Sequence, residues 1–297
     1  MALQLHDIKK VCILGCGTLG LRIGLRCAID GYATTIYDIS AEQIEAAKRT
    51  QQKILQSLLR HGQIQETDLS PIIARLHWTQ DPAEAAAESD LVSESVTEQL
   101  ELKRRVYEQF APLWPERTLL TTNTSYLLPS QIADHTGRPE LFCALHFHDV
   151  FTATVVDIMP HPSTAAWIPD LLHHFGKRIH QIPVLVEQET PGYLFNAMLM
   201  AVLGSAGALL TKGLASIEDI DRSWMGNMNT PVGPFGMMDQ IGLDTALHVV
   251  GARTDSRSQR FATLLRQYVE AGKLGVKTGT GFYQYPQPSY KRKDFLH

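Results

Sequence analysis

An α/β fold is predicted for this chain, with a doubly wound, mostly parallel sheet first and an all-α domain after it. Two patterns predict it. Short apolar runs alternate with longer amphipathic segments through the first two-thirds of the 297 residues, as expected for strands and helices that alternate in a parallel sheet. After Glu189-Thr190-Pro191-Gly192 the pattern becomes helical. We therefore predict domains at 1–188 and 189–297, each long enough to bury its own core.

The first domain is expected to contain eight short strands with helices between them. The predicted strands are 11–14, 34–37, 76–78, 91–93, 119–122, 143–146, 155–158 and 182–186. The predicted helices are 19–29, 41–60, 99–110 and 129–134. The last strands follow one another closely, so this end of the sheet is expected to be mixed.

A glycine-rich turn joins the first predicted strand to the first predicted helix. It reads Gly15-Cys16-Gly17-Thr18-Leu19-Gly20. The first glycine permits a tight turn, the second lets the backbone approach a pyrophosphate, and the third lets helix and strand pack closely. Phosphates would then lie at the helix N-terminus, beside Thr18 and Leu19. A glycine-rich turn in an unrelated α/β domain is the alternative, but the strand before and the helix after favour a Rossmann-type dinucleotide site.

An acidic residue, Asp38, follows the second predicted strand, about twenty residues beyond the glycines. A carboxylate at this distance accepts hydrogen bonds from the adenosine ribose hydroxyls and repels a 2′-phosphate. The next basic residue is Lys48. The predicted cofactor is therefore NAD rather than NADP.

Composition and charge exclude several classes of partner. The net charge is −4, which gives no general attraction to nucleic acid or to an anionic membrane, and the basic tail 291–293 is expected to be solvated. The four cysteines form no CxxC pair and are expected to be reduced thiols. The first residues lack the basic and apolar regions of an export signal. These features predict a cytoplasmic protein with a small-molecule substrate.

The segment 193–210 lies in a stretch without charged residues, between Glu189 and Lys212, and is long enough to be considered as a membrane span. It contains Asn196, Ser205 and three glycines, and basic clusters or an aromatic belt do not flank it. We therefore expect a buried helix of a helical domain, and no membrane partner.

Four polar residues are expected to face a crevice at the carboxyl ends of the strands. Ser125 follows a strand, His146 ends one, Asp157 lies in the next, and Asn196 is one turn into the first C-terminal helix. Each has an ordinary alternative: a turn former, a satisfied histidine, or a packing hydrogen bond. An imidazole titrates near neutral pH, so His146 is the candidate for proton transfer.

Six further motifs occur in an order that resembles one family, the L-3-hydroxyacyl-CoA dehydrogenases with their diketoreductase and lambda-crystallin/L-gulonate dehydrogenase relatives. The motifs are Asn123-Thr124-Ser125, Leu145-His146-Phe147, Glu189-Thr190-Pro191-Gly192-Tyr193 with Asn196, Pro231-Val232-Gly233-Pro234-Phe235 with Asp239 and Gly242-Leu243-Asp244, Gly272-Lys273-Leu274-Gly275, and Lys277-Thr278-Gly279-Thr280-Gly281-Phe282-Tyr283.

The resemblance implies a hydride transfer between NAD(H) and a 3-hydroxy or 3-keto acyl substrate. By this resemblance Ser125, His146 and Asn196 are the catalytic residues, with His146 as general acid and base. Glu94, Lys103 and Asn123 are assigned to cofactor binding. Since family members pair through the helical domain, and 193–210 is more apolar than about a hundred residues would readily bury alone, a homodimer is expected.

The chain departs from the family around its histidine. The family pairs that histidine with a glutamate usually twelve residues on, where this chain has Ile158. A one-residue deletion within 149–154 would place Asp157 on the required face of the strand, since a slip of one residue turns a side chain away. The family's His-Phe-Phe-Asn-Pro becomes His-Phe-His-Asp-Val here, so His148 and Asp149 replace an apolar residue and an amide. A metal site built from these histidines and Asp149 lacks a third His or Cys at a fitting spacing, so no metal is predicted.

The third departure concerns coenzyme A. The matching end of the helix 41–60 has Lys53 and Arg60 where family members carry a lysine-rich stretch. A reductase of free keto acids, keto esters or diketo esters is therefore the alternative to an acyl-CoA enzyme. A non-catalytic, crystallin-like NAD-binding protein is a second alternative, but it would have no need of Ser125, His146 and Asn196.

Overall fold

The computed structural model describes residues 3–251 and 254–296. The chain divides into two compact units, Met1–Leu194 and Phe195–His297. The domain boundary predicted between residues 188 and 189 lies a few residues earlier, in the loop before the first helix of the second unit, and stays a prediction.

The first unit is built on a sheet whose strands all coincide with predicted ones. They are β1 Lys10–Leu14, β2 Ala33–Tyr37, β3 Leu76–Thr79, β4 Leu91–Glu94, β5 Leu119–Thr122, β6 Phe142–Phe147, β7 Val155–Met159 and β8 Ile182–Leu185. Their order is β3-β2-β1-β4-β5-β6-β7-β8. In the described part of the chain β6 and β7 form the one antiparallel pair of this sheet, which confirms the predicted doubly wound fold with a mixed end.

Helices pack on the sheet. They are α1 Thr18–Ile29, α2 Ala41–Arg60, α3 Glu66–Ala74, α4 Pro82–Ala86, α5 Leu100–Phe110 and α6 Ile168–Arg178. The sequence did not predict α3, α4 and α6, and the predicted helix 129–134 is instead a pair of 3₁₀ turns, Pro129–Gln131 and Ala133–Thr136. Each of these turns has four residues or fewer, which is too short to show the repeat of an amphipathic helix. The sequence pattern therefore could not distinguish the turns from an α-helix.

The sheet is buried where continuous apolar runs predicted it. Every residue of β4, β5 and β6 is buried, and β1 is exposed only at Lys10. Such runs are typical of parallel strands that helices cover on both faces. The carboxyl ends of β1, β4 and β5 therefore belong to a buried, well-packed sheet, which holds the loops that follow them in place.

The second unit consists of helices around a separate core. They are α7 Tyr193–Thr211, whose first two residues belong to the first unit, α8 Ile217–Met228, α9 Pro234–Ile241, α10 Leu243–Gly251 and α11 Ser256–Glu270. Two buried carboxylates fix its loops: Asp221 accepts hydrogen bonds from the backbone N–H groups of Phe235 and Gly236 at 2.9 and 3.0 Å, and Asp239 accepts from those of Phe282 and Tyr283 at 2.8 and 2.9 Å. These hydrogen bonds give the sequence motifs around Phe235 and Phe282 a structural role.

The helix α7 is more exposed than the sequence led us to expect. Among the described residues it is the helix long and apolar enough to cross a membrane by length and composition, and 22% of its most apolar window is buried. Phe195 and Met198 are 51% and 63% exposed. The expectation of a buried helix is therefore wrong for the single chain, because a unit of about a hundred residues is too small to surround this helix on all sides.

Candidate functional site

The glycine turn lies between β1 and α1, as predicted. Gly15 has φ +96°, and a Cβ there would lie 2.9 Å from the carbonyl oxygen of Ser95. A Cβ at Gly20 would lie 2.0 Å from the carbonyl oxygen of Gly15. At Gly17, by contrast, a Cβ would meet no atom of the described residues within 4 Å. The first and third glycines are thus required by packing, and the second leaves space at the N-terminus of α1 for a phosphate group.

Asp38 lies beside this turn, after β2. Its carboxylate accepts a hydrogen bond from the Cys16 N–H at 3.0 Å and another from the Ser40 N–H at 3.0 Å. A cleft of about 630 Å³ opens here, lined by Gly15, Gly17 and Asp38 among others. Its size and its carboxylate suit the adenosine part of NAD, so the residues present fit the predicted cofactor.

His146 and Asp157 face each other across β6 and β7. The antiparallel register places them directly opposite, and the Nδ1 atom of His146 lies 3.0 Å from Oδ2 of Asp157. Both residues are buried, with 3% and 1% of their surface exposed. Opposite residues of an antiparallel pair share a face of the sheet. The expected contact between His146 and the shorter acid is therefore confirmed.

A second imidazole reaches the same carboxylate oxygen. The Nε2 atom of His148 lies 2.8 Å from Oδ2 of Asp157, and the rings of His146 and His148 lie 4.6 Å apart. Burial raises the pKa of the Asp157 carboxyl, but the hydrogen bonds from the two imidazoles outweigh it and leave this pKa below its ordinary value. The group is thus ionised and can only accept, so His146 donates from Nδ1 and keeps an electron pair at Nε2.

The His146 ring is also held from its face. The ring of Tyr193 stacks on it with centroids 4.5 Å apart and planes 11° from parallel. The Tyr193 hydroxyl donates to the Thr124 carbonyl oxygen at 2.8 Å, and Tyr193 has φ 52°. A tyrosine in this left-handed region is rare and often marks a functional site. Sequence reasoning included Tyr193 only within a motif, because spacing cannot distinguish a stacking aromatic from a core one.

Burial is also the main influence on the proton affinity of His146. Burial lowers the pKa of its imidazole, and the charge of His148 acts in the same direction. The hydrogen bond and charge of Asp157 oppose this effect without cancelling it, so the pKa lies below its ordinary value. The neutral, proton-accepting form of His146 is therefore favoured at neutral pH.

The turn containing Ser125 is held by a carboxylate that sequence reasoning missed. Glu98 accepts hydrogen bonds from the backbone N–H groups of Ser125 and Tyr126 at 2.8 and 3.0 Å, and from the Thr124 hydroxyl. Burial raises the pKa of Glu98, but the charge of Lys103 and these hydrogen bonds lower it overall. Glu98 lies five residues before Lys103, and this acidic residue close to a lysine is the signal by which the sequence could have indicated it.

The residues predicted to bind the cofactor near this turn have structural partners. Lys103 donates to Glu94 at 2.8 Å, and both side chains are almost completely buried. The Thr122 hydroxyl donates to the other oxygen of Glu94 at 2.6 Å. Asn123 accepts from the Phe147 N–H at 2.7 Å, which ties the end of β5 to β6. Whether these three residues touch NAD stays a prediction.

Asn196 and Asp149 complete the predicted set. Asn196 lies in the first turn of α7 and is half-buried. Asp149 does not join the two histidines; instead it accepts from Arg22 at 2.9 Å and from the Phe151 N–H at 2.8 Å. The potential third ligand beside the two histidines is therefore Asp157, on the neighbouring strand, and not Asp149.

Comparison with known proteins finds matches to most of the chain. Residues 10–190 match the NAD binding domain of 3-hydroxyacyl-CoA dehydrogenase, and 192–285 match its C-terminal domain. A probable 3-hydroxybutyryl-CoA dehydrogenase of Bacillus subtilis is 30% identical over 289 residues, covering 95% of this chain and 99% of that protein. A diketoreductase structure, described as acting on dicarbonyl compounds, has a TM-score of 0.88 and 34% identity, covering 94% of this chain and 99% of that one. An (S)-3-hydroxybutyryl-CoA dehydrogenase structure from Ralstonia eutropha has a TM-score of 0.86 and 30% identity, covering 94% and 100%.

Fold, cleft and family matches together define an NAD-dependent oxidoreductase. The chain belongs to the 3-hydroxyacyl-CoA dehydrogenase family. The resemblance that the ordered motifs indicated is thereby confirmed, and so are the predicted fold class and NAD as cofactor.

Proposed function

We propose that this enzyme transfers a hydride reversibly between NAD(H) and C3 of a 3-hydroxy or 3-keto acyl compound, with His146 as general acid and base. The observation that supports it most is the buried hydrogen bond between His146 and Asp157, at 3.0 Å, in a member of this family. When bound, NAD(H) would supply the hydride acceptor for oxidation and the hydride donor for reduction.

The proton follows a separate route from the hydride. Because Asp157 holds the Nδ1 proton of His146, the free Nε2 atom takes the hydroxyl proton of the substrate in oxidation and returns it to the carbonyl oxygen in reduction. Asp157 stabilises the imidazolium that forms. We assign hydrogen bonds to the substrate oxygens to Ser125 and Asn196.

The cofactor is assigned to the residues at the carboxyl ends of the strands. The turn from Gly15 to Gly20, with Gly17, Thr18 and Leu19, would hold the pyrophosphate, and Asp38 the adenosine ribose. Glu94, Lys103 and Asn123 are proposed to support the nicotinamide side. The open space at Gly17 and the cleft beside Asp38 favour this assignment.

The two candidate functions differ in whether the acyl group of the substrate is attached to coenzyme A. Coenzyme A brings several phosphate charges, and in this family a lysine-rich stretch at the end of α2 matches them. Here Lys53 and Arg60 stand in that stretch, both exposed, whereas Lys48 donates to Glu45 at 2.8 Å. This reduced charge favours the second candidate, a reductase of keto esters, diketo esters or free keto acids that needs no coenzyme A.

A substrate panel separates them. We would measure kcat/KM with NADH for acetoacetyl-CoA, ethyl acetoacetate, a 3,5-diketo ester and acetoacetate under identical conditions. Two lost charge-assisted contacts of roughly 1.5–3 kcal/mol each raise KM for the thioester by about two to four orders of magnitude, so the esters are expected to be the better substrates. A strong preference for acetoacetyl-CoA assigns the enzyme to the first candidate, and no turnover of any member refutes both.

We further propose a homodimer in the cytoplasm. The exposed apolar residues of α7, Phe195 and Met198 among them, would be covered by a second copy of the chain. A role in fatty acid metabolism follows only from the first candidate substrate.

A further inference from the structure

His146, His148 and Asp157 form one compact cluster whose potential ligand atoms all lie within 4.8 Å of one another. We propose that this His-His-Asp cluster binds a divalent transition metal ion, with Zn²⁺ as the best match, and that the bound ion switches the enzyme off. The inhibition rests on the proposed role of His146, whereas the binding site itself does not.

The donor set suits such an ion. Two imidazole nitrogens and one carboxylate oxygen are ligands that Zn²⁺ takes at about 2.0–2.2 Å, and hard ions such as Mg²⁺ prefer oxygen alone. The carboxylate oxygen lies 3.0 and 2.8 Å from the two nitrogens. Ligand atoms around a tetrahedral Zn²⁺ ion are about 3.3 Å apart, so the oxygen must move slightly away from both nitrogens, and ligand atoms that are now up to 4.8 Å apart must come closer together.

His148 is the most accessible member of the cluster. The side chains of His146 and Asp157 are 4% and 2% exposed, whereas that of His148 is 13% exposed. The carboxylate of Asp157 would supply negative charge to a bound dication. Competition from thiolates is weak, since all four cysteines are buried.

Metal binding would disable His146 through its tautomer. A ligand nitrogen must offer an electron pair, so the proton on Nδ1 of His146 moves to Nε2. The proton on Nε2 of His148 likewise moves to Nδ1, so each imidazole keeps one proton and this rearrangement releases none. The Nε2 atom of His146 then carries hydrogen and cannot accept the hydroxyl proton of the substrate. A metal-bound neutral imidazole is also a far weaker acid than imidazolium, so reduction slows as well.

The test compares the full-length enzyme with His148→Phe, which restores the aromatic residue that the family has at this position. His174→Asn is the matched control, because His174 is a histidine with a 56% exposed side chain on α6. Zn²⁺ binding is measured by titration calorimetry, and Co²⁺ binding by its visible absorption. NADH-dependent turnover is followed with and without Zn²⁺, each variant being compared with its own metal-free rate.

We expect one Zn²⁺ ion per chain, inhibition that EDTA reverses, and an unchanged result for His174→Asn. In His148→Phe the dissociation and inhibition constants should rise by at least the roughly 10–100-fold that loss of a mere outer-sphere partner costs. Equal binding and inhibition in His148→Phe would overturn the proposal, as would no binding to the unmodified enzyme. NADH binding checks the fold, and His148→Asn replaces the phenylalanine variant if that variant fails to fold.

The same measurements separate this inference from the proposed function. An active enzyme that binds no Zn²⁺ at the cluster refutes the metal site and leaves the oxidoreductase proposal in place. A chain that binds Co²⁺ in a His148-dependent manner but turns over no substrate supports the site and refutes the proposed function.

Discussion

Replacing Asp157 with asparagine removes the negative charge beside His146 and leaves the size of the side chain nearly unchanged. In the native enzyme one oxygen of Asp157 accepts from both histidines, at 3.0 and 2.8 Å. The amide oxygen can take the same place, so both donors keep a partner. The bond from His146 then loses its charge assistance, which is the difference between about 1.5–3 and about 0.5–1.5 kcal/mol.

This difference of roughly 1–1.5 kcal/mol falls on the imidazolium formed during catalysis, so Asp157→Asn should lower kcat by about tenfold. If the amide instead turns its NH₂ group toward His146, the ring adopts the wrong tautomer and the loss grows toward about 10⁴-fold. The assay is steady-state turnover with NADH, with NADH affinity measured by fluorescence. Asp170→Asn is the control, since its side chain is 80% exposed. A folded Asp157→Asn enzyme with kcat within twofold of the native value would refute the positioning role.

Three further predictions follow from single residues. Asp38→Ser should narrow the preference for NADH over NADPH, measured as the ratio of kcat/KM values; an unmodified enzyme that uses both equally would rule out the charge argument. Met198→Lys on α7 should change the sedimentation of the protein from that of a dimer to that of a monomer. Met228 is a comparably exposed methionine on α8, and Met228→Lys should leave the dimer intact. A native protein that sediments as a monomer at micromolar concentration contradicts the dimer. Burial and His148 lower the pKa of His146 against the opposing effect of Asp157 and Glu98, so the base form of His146 persists as pH falls. The kcat/KM for oxidation should therefore decline only below pH 6.5, the ordinary pKa of an imidazole. A midpoint above that value contradicts the assignment.

Features set by local backbone requirements were predictable from sequence. Gly15 and Gly20 are required because the backbone passes within 3 Å of the place where a Cβ would stand. The alternation of short apolar runs gave all the strands, since parallel strands are buried on both faces. The partner of His146 followed from strand periodicity, because β6 and β7 pair in a register that sets His146 opposite Asp157.

Features that depend on contacts between distant segments were not predictable. Glu98 supports Ser125 only because the end of β5 lies beside the loop after β4. Tyr193 stacks on His146 although the two residues are 47 positions apart in sequence, and the sequence pattern gives no sign of this contact. His148 and Asp149 sit next to each other, yet one bonds Asp157 and the other Arg22, which no sequence spacing could distinguish.

The most direct measurement of the role of His146 is the turnover of His146→Gln. Loss of a positioned acid and base costs about 10²–10⁴-fold in rate, so kcat should fall by that factor while NADH affinity stays within about twofold, since a carboxamide conserves most of the volume. His174→Gln, which removes an exposed histidine elsewhere, should keep the native rate. If His146→Gln binds NADH and turns over at the native rate, His146 is not the acid and base of this enzyme.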